Sequence, residues 1–363
     1  MNRYWSRQLE SLSVYQAGEQ PQDRGYIKLN TNENPYPPSP RVLEKIRGIT
    51  ERDLRLYPDP RSQGLRDTIA TYHGVGADNV FVGNGSDEVL AHAFMALFRQ
   101  IYPVCFPDIS YSFYPVFCGY FGIEYQQLPL TQDFSIDTGR FPGTNGGIIF
   151  PNPNAPTGIY TPVLRIESLL QHNRDSAVII DEAYIDFGGV SCTPLINQYP
   201  NLLVVQTLSK SRSLAGLRIG YALGHHELIA GLEIAKDSFN SYPLDRIAGL
   251  AATESLLDED YFQQCRQRII NTRAWTVEKL SGLGFEVLPS HANFVFTRQP
   301  QHPGGQLYQQ LKQRGILVRH FDAPRIKDYL RISIGTDEEM ETLIGTLQDI
   351  LEKKSEVRSQ EPE

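Results

Sequence analysis

Between Asn79 and Gln206 the chain alternates short unbroken apolar runs with stretches of helical spacing. The runs are Val80–Val82, Val104–Phe106, Gly147–Phe150, Ala177–Ile180 and Leu202–Gln206. A strand with one face in water would alternate apolar and polar residues; unbroken runs predict strands buried on both faces. Between the first two, Asp87–Arg99 carries Leu90, Phe94, Leu97 and Phe98 at helical spacing. Strands alternating with helices predict a large, mostly parallel sheet covered on both faces, the α/β class.

Beyond Pro243 the texture changes. Helical stretches lead to short strands at Phe285–Leu288, Asn293–Thr297, Ile316–Arg319 and Tyr329–Ile334, with a helix at Gln306–Arg314. The last helix starts at Thr336, whose hydroxyl and Glu339 form a capping box, and carries Met340, Leu343, Ile344, Leu347 and Ile350 on one face. This reads as a smaller α+β lobe. The expected organisation is an N-terminal arm with part of the small domain over 1–45, a large domain over 46–245, a small domain over 246–353, and a polar, frayed tail over 354–363. Leu29–Pro40, LNTNENPYPPSP, is too rich in Asn and Pro for a helix and reads as an extended, turning connection.

A length of 363 residues suits two lobes around a cleft. The net charge of −8 argues against nucleic acid or an anionic membrane as partner. It leaves room for a small anionic substrate held by a local arginine cluster. The four cysteines are widely and irregularly spaced, so neither a disulfide framework nor a metal site is expected. Met1–Tyr15 has no apolar run and no stretch approaches a membrane span, which predicts a cytoplasmic protein.

The candidate chemistry falls where predicted strands end, at the edge where open α/β sheets bind ligands. Ser209-Lys210 follows LLVVQTL; a lysine desolvated there becomes nucleophilic toward an aldehyde, although a lone lysine is more often a solvated loop residue. Gly216–Tyr221 follows, with glycines that allow close backbone approach and Arg218 to hold a phosphate, or simply a glycine turn with a surface arginine. Asp181 ends AVII and could pair with a protonated ring nitrogen; with Glu182 it could also bind Mg²⁺, but no phosphate loop of the G-x-x-x-x-G-K type is present. Gly83–Glu88 joins a strand to a helix whose N-terminus favours phosphate, though Glu88 stands where a dinucleotide fingerprint needs glycine. Pro151–Gly158 puts rigid side-chain amides at another strand end.

Taken in order, LNTNENPYPPSP, YPDP, GNGSDE, PNPNAPTG, DEAY and SK-x₅-GLRIGY resemble the fold-type I aminotransferases, and among them the histidinol-phosphate aminotransferase branch, over roughly Tyr15–Ile350. The resemblance implies pyridoxal 5′-phosphate as cofactor, joined through its aldehyde to Lys210, which also moves the proton at the substrate's Cα. It implies that Asp181 keeps the ring nitrogen protonated, that Tyr184 and Asn154 bond the ring's phenolic oxygen, and that Tyr111 stacks on the ring. Ser209, Arg218 and the backbone of Ser86 and Asp87 would hold the phosphate, joined by Tyr57 of the partner in a homodimer. Tyr15, Arg319 and Arg331, with Asn154, would bind the acidic ends of glutamate and an amino-acid phosphate ester. The same scaffold could serve a threonine-phosphate decarboxylase or an aromatic amino-acid aminotransferase. A cofactor-binding regulatory module ranks last, because neither an appended DNA-binding domain nor a degraded lysine site is seen.

Overall fold

The computed structural model describes residues 3–6, 8–9, 12–16, 18–21, 23 and 25–358, with side chains to 352. The main sheet is built from β2 (Val80–Asn84), β3 (Val104–Pro107), β4 (Tyr125–Leu128), β5 (Ile148–Pro151), β6 (Val178–Asp181), β7 (Leu202–Thr207) and β8 (Ile219–Gly224), after a short β1 (Ile27–Lys28). Its order is β2-β8-β7-β6-β5-β3-β4. The apolar runs are explained by two-sided burial. Ile148, Phe150, Val178, Ile180, Leu202 and Val204 face one core, while the intervening Ile149, Ile179, Leu203 and Val205 face another.

The neighbours from β4 through β7 pair in parallel, whereas β8 runs antiparallel to both β2 and β7. The carboxyl ends of β2, β5, β6 and β7 and the start of β8 therefore share one edge. Two strands have no counterpart among the predicted runs. The edge strand β4 (YQQL) is mostly exposed and so lacks an apolar run. In β8 the sequence IGYALG reads locally as a glycine turn, yet it is buried along its whole length.

The second sheet, antiparallel, orders β12 (Arg319–His320), β13 (Leu330–Ser333), β10 (Phe294–Arg298) and β9 (Glu286–Val287). The expected strand at Ile316–Arg319 is divided: β11 (Ile316–Leu317) pairs in parallel with β1, and only β12 joins this sheet. A separate core gathers Val295, Ile332, Leu343 and Leu347 with Leu29 and Tyr36 from the N-terminal segment. The last helix, Asp337–Arg358, opens on the expected reciprocal cap, Thr336 N–H to Glu339 Oε2 at 2.8 Å and Glu339 N–H to Thr336 Oγ1 at 3.2 Å. It runs through residues 354–358 of the segment expected to fray; 359–363 lie outside the described residues. Among the described residues no helix is long and apolar enough to cross a membrane, and the four cysteines are free and buried.

Candidate active site

The carboxyl edge of the main sheet opens into a cavity of about 240 Å³ that also meets the second sheet. Ser86, Asp87, Tyr111, Asp181, Tyr184, Ser209, Lys210 and Arg218 line it from the large sheet's side, and Tyr15, Arg319 and Arg331 from the other.

Lys210 lies three residues past β7. Its Nζ donates to the carbonyl of Thr31 at 3.1 Å and sits 6.0 Å from the centre of the Tyr184 ring. Burial disfavours the ammonium, Arg331 repels it, and nearby Glu33 only partly compensates, so its pKa falls to about 8. The amine is thus closer to its nucleophilic form near neutral pH than a surface lysine. Asn34 donates its amide to the carbonyls of Lys210 and Ser211 at 3.0 and 3.1 Å, which fixes the lysine's loop against the N-terminal segment.

Asp181 ends β6 and is 5% exposed. Burial pushes its pKa up to about 6, opposed by the hydroxyl of Tyr114 on Oδ2 at 3.1 Å and the N–H of Ala183 on Oδ1 at 3.2 Å. A cation arriving in the cavity would lower it again.

Between these groups lies an anion cradle. Gly85 stands at φ +86°, no side chain caps the helix Ser86–Leu97, and its first N–H groups point to the sheet edge. Gly220 of β8 packs so close that a Cβ there would lie 2.2 Å from Ser86 N, and one at Gly85 would lie 2.5 Å from Arg218 Nη2. Arg218, in the left-handed region at φ +52°, is held by Asp87 Oδ2 at 3.2 Å and approaches Ser209 Oγ at 3.5 Å. Thr207 fixes Ser209 through Oγ1 at 3.0 Å. Asp87 also accepts from Tyr111 OH at 2.8 Å, so one carboxylate aligns both the phosphate-side arginine and the aromatic ring.

The second anion position is more explicit. Arg319 and Arg331 are direct cross-strand partners, and like charges so placed repel. Burial and the neighbouring Arg319 lower the pKa of Arg331, while Tyr184 raises it. Arg331 donates to Asn30 O at 2.9 Å, yet its Nε has no partner, and among the described residues no carboxylate pairs with it. Phe321 lies between the two, 5.4 Å from the Arg319 guanidinium and 5.6 Å from that of Arg331. Two guanidiniums on facing positions beside an open cavity, one of them buried with an unpartnered Nε, make a site for an anionic ligand. Tyr15 closes this side, 4.7 Å from Phe113 and 6.2 Å from Tyr111, and Arg319 is steadied by the carbonyl of Gln16 at 3.1 Å.

Two expected residues are hydrogen-bonded within the protein. Tyr184 OH accepts from Asn32 Nδ2 at 3.0 Å, and Asn154 donates to Ile109 O and Thr157 Oγ1 at 3.0 and 3.1 Å, leaving a buried Oδ1 unpaired. Tyr57 is not brought to the cavity: it is 80% exposed and stacks on Tyr242 at 4.8 Å. Sequence reasoning missed Tyr114, Asn32, Asn34, Thr207 and Phe321. Asn32 and Asn34 fall in a segment that reads as a plain turning connection, and only the turn at Asn32, φ +57°, hints at a fixed role. Among the described residues no cluster of His, Cys, Asp and Glu is placed to hold a metal ion.

The site fits pyridoxal 5′-phosphate: a glycine-lined cradle with Ser86, Ser209 and Arg218 for a phosphate, a buried carboxylate for a protonated ring nitrogen, an aromatic face and a desolvated amine for an aldehyde.

Comparison with known proteins bears on the same chemistry. Residues 24–347 match the family described as aminotransferase class I and II. The chain is 57% identical over 351 residues to histidinol-phosphate aminotransferase 1 of Methylococcus capsulatus, covering 97% of this chain and 98% of that one. It is 56% identical to histidinol-phosphate aminotransferase 1 of Hydrogenovibrio crunogenus, covering 98% and 100%. The crystal structure of histidinol-phosphate aminotransferase from Sinorhizobium meliloti in complex with pyridoxal-5′-phosphate superposes with a TM-score of 0.86 at 24% identity, covering 97% of this chain and 99% of that one, a likeness of fold.

Proposed function

The chain belongs to the class I and II aminotransferases, and on that premise we propose that it transfers an amino group from L-glutamate to imidazole-acetol phosphate, giving 2-oxoglutarate and L-histidinol phosphate, in cytoplasmic histidine biosynthesis. Pyridoxal 5′-phosphate is the cofactor. When bound, it supplies an aldehyde that accepts the amino group and a ring that takes up the electron pair left at Cα. The observation that carries the chemistry is the meeting of a desolvated Lys210, a buried Asp181 and a phosphate cradle in one cavity. The names of the close relatives support the substrate.

Each residue then has a task. With the cofactor bound, the amine of Lys210 would hold its aldehyde, and as a free base near neutral pH it would move the proton at the substrate's Cα. Asp181 holds the proton on the ring nitrogen. Tyr184 and Asn154 address the ring's phenolic oxygen, and Tyr111 covers the ring face. Ser209, Arg218 and the backbone N–H groups of Ser86 and Asp87 secure the phosphate, with Tyr57 of the other subunit of a homodimer. Arg319 and Arg331, with Tyr15, receive the carboxylates of glutamate and the phosphate of the second substrate. The buried, unpartnered Nε of Arg331 and the guanidinium of Arg319 facing it support that assignment.

The test is a half-reaction. L-Histidinol phosphate added without a keto acid to the cofactor-loaded protein should convert the absorbance of the aldehyde form to that of the amine form, one equivalent per site, much faster than phenylalanine does. No conversion, with carbon dioxide released from threonine phosphate instead, would overturn the substrate and the reaction type together.

A further inference from the structure

The carboxylate of Asp181 is supported from behind by a residue that does not reach the cavity. Tyr114 opens the helix Tyr114–Phe121 and is fully buried among Phe94, Phe106 and Phe117. Its ring stands edge-on to Tyr111 at 5.6 Å and 89°, and against Phe106 at 5.8 Å. Packing alone would be served as well by phenylalanine, since a phenol hydroxyl in an apolar cluster loses its water. The hydroxyl is retained where it meets a single carboxylate, Asp181 Oδ2, at 3.1 Å. The other oxygen, Oδ1, accepts from Ala183 N–H at 3.2 Å. With one donor on each oxygen, the carboxylate cannot rotate, and its remaining lone pairs are left for the cavity that it lines.

We propose that Tyr114 is a positioning residue for amino transfer, holding Asp181 ionised and oriented toward the cofactor's ring nitrogen. The inference rests on the reading of Asp181 given under Proposed function. A hydrogen bond donated to the charged form favours that form, and donation to a buried carboxylate is among the stronger hydrogen bonds of a protein. The phenol remains a donor throughout, because burial and the adjacent Asp181 carry its own ionisation well out of reach.

Binding, rather than turnover, isolates the effect. Dissociation constants would be measured for the cofactor-free protein with pyridoxal 5′-phosphate and with its 1-deaza analogue, in which carbon replaces the ring nitrogen. The ratio of the two reports the Asp181 pairing alone, since phosphate, ring face and Lys210 are common to both. In Tyr114→Phe the preference for the natural cofactor should fall by about tenfold while affinity for the deaza analogue stays at the wild-type value. An unchanged preference would overturn the proposal. So would an equal loss for both ligands, which would make Tyr114 a packing residue. Asp181→Asn is the reference. If it loses the preference and Tyr114→Phe does not, Tyr114 alone is misassigned; if it too keeps the wild-type preference, the pairing of Asp181 with the ring nitrogen is what fails.

Discussion

At the residue scale the site is built from groups placed where they are least stable on their own. Lys210 has a folded-state pKa of about 8 against the ordinary 10.5, chiefly through burial. Below pH 8 the amine is charged in both folded and unfolded protein, so the full desolvation cost is present; above 10.5 it is neutral in both and the cost is gone. Lys210→Met should therefore stabilise the cofactor-free protein by roughly 3 kcal/mol at pH 7, with the gain shrinking to nothing as pH rises from 8 to 10.5. Thermal melts across that range check it, and a gain independent of pH would refute the burial argument. The same variant should have no transaminase activity. In the wild type, capture of pyridoxal 5′-phosphate should accelerate as pH rises through about 8, because only the free base attacks the aldehyde. Asp181→Asn should keep the fold and lose at least about a hundredfold in turnover, since an amide cannot hold the ring's proton; a near-normal rate would give Asp181 another task.

At the element scale, the approach of β8 to the helix Ser86–Leu97 sets the cradle. A Cβ at Gly220 would meet Ser86 N at 2.2 Å and Gly85 C at 2.4 Å, backbone atoms that cannot swing aside. Gly220→Ala should force the strand from the helix terminus and weaken cofactor binding at least about tenfold, with destabilisation of about 1–3 kcal/mol. Equilibrium dialysis and denaturant melts read the two effects separately, and wild-type affinity would mean the cradle tolerates expansion. The same strand shows where sequence legibility ends. The five apolar runs identified β2, β3, β5, β6 and β7 because each buries both faces, a property written in local composition. The residues at their ends, Lys210 and Asp181 among them, became legible with the strands. In β8, Gly220 and Gly224 are imposed by neighbouring backbone and side chains that come from the helix start and β7, which no local pattern announces. Tyr114 was illegible for a related reason: in YSFYPVF it is one aromatic among several, and its meaning comes from Asp181, 67 residues away.

At the scale of the whole molecule, Tyr57 poses the remaining question, because a residue expected at the phosphate stands 80% exposed on one chain. It is not loose. Its ring stacks on Tyr242 at 4.8 Å, and its carbonyl accepts from Arg246 Nη2 at 2.8 Å. In sequence beside these lie Leu54 and Phe239, 67% and 78% exposed. A fixed aromatic with apolar neighbours facing water is the signature of a contact surface. In an isologous dimer each chain would offer its Tyr57 to the other. Light scattering should therefore report a dimer; a fully active monomer would contradict this account. Complementation asks whether Tyr57 acts in trans. Lys210→Ala chains lack their own amine but carry Tyr57, whereas Tyr57→Ala chains carry the amine but lack the partner's ring. Unfolded together in equal amounts and refolded, they should reassort at random, so that half the dimers hold one intact site and activity reaches about a quarter of wild type. Activity no greater than the sum of the parents, with mixed dimers shown to form, would place Tyr57 outside the partner's site.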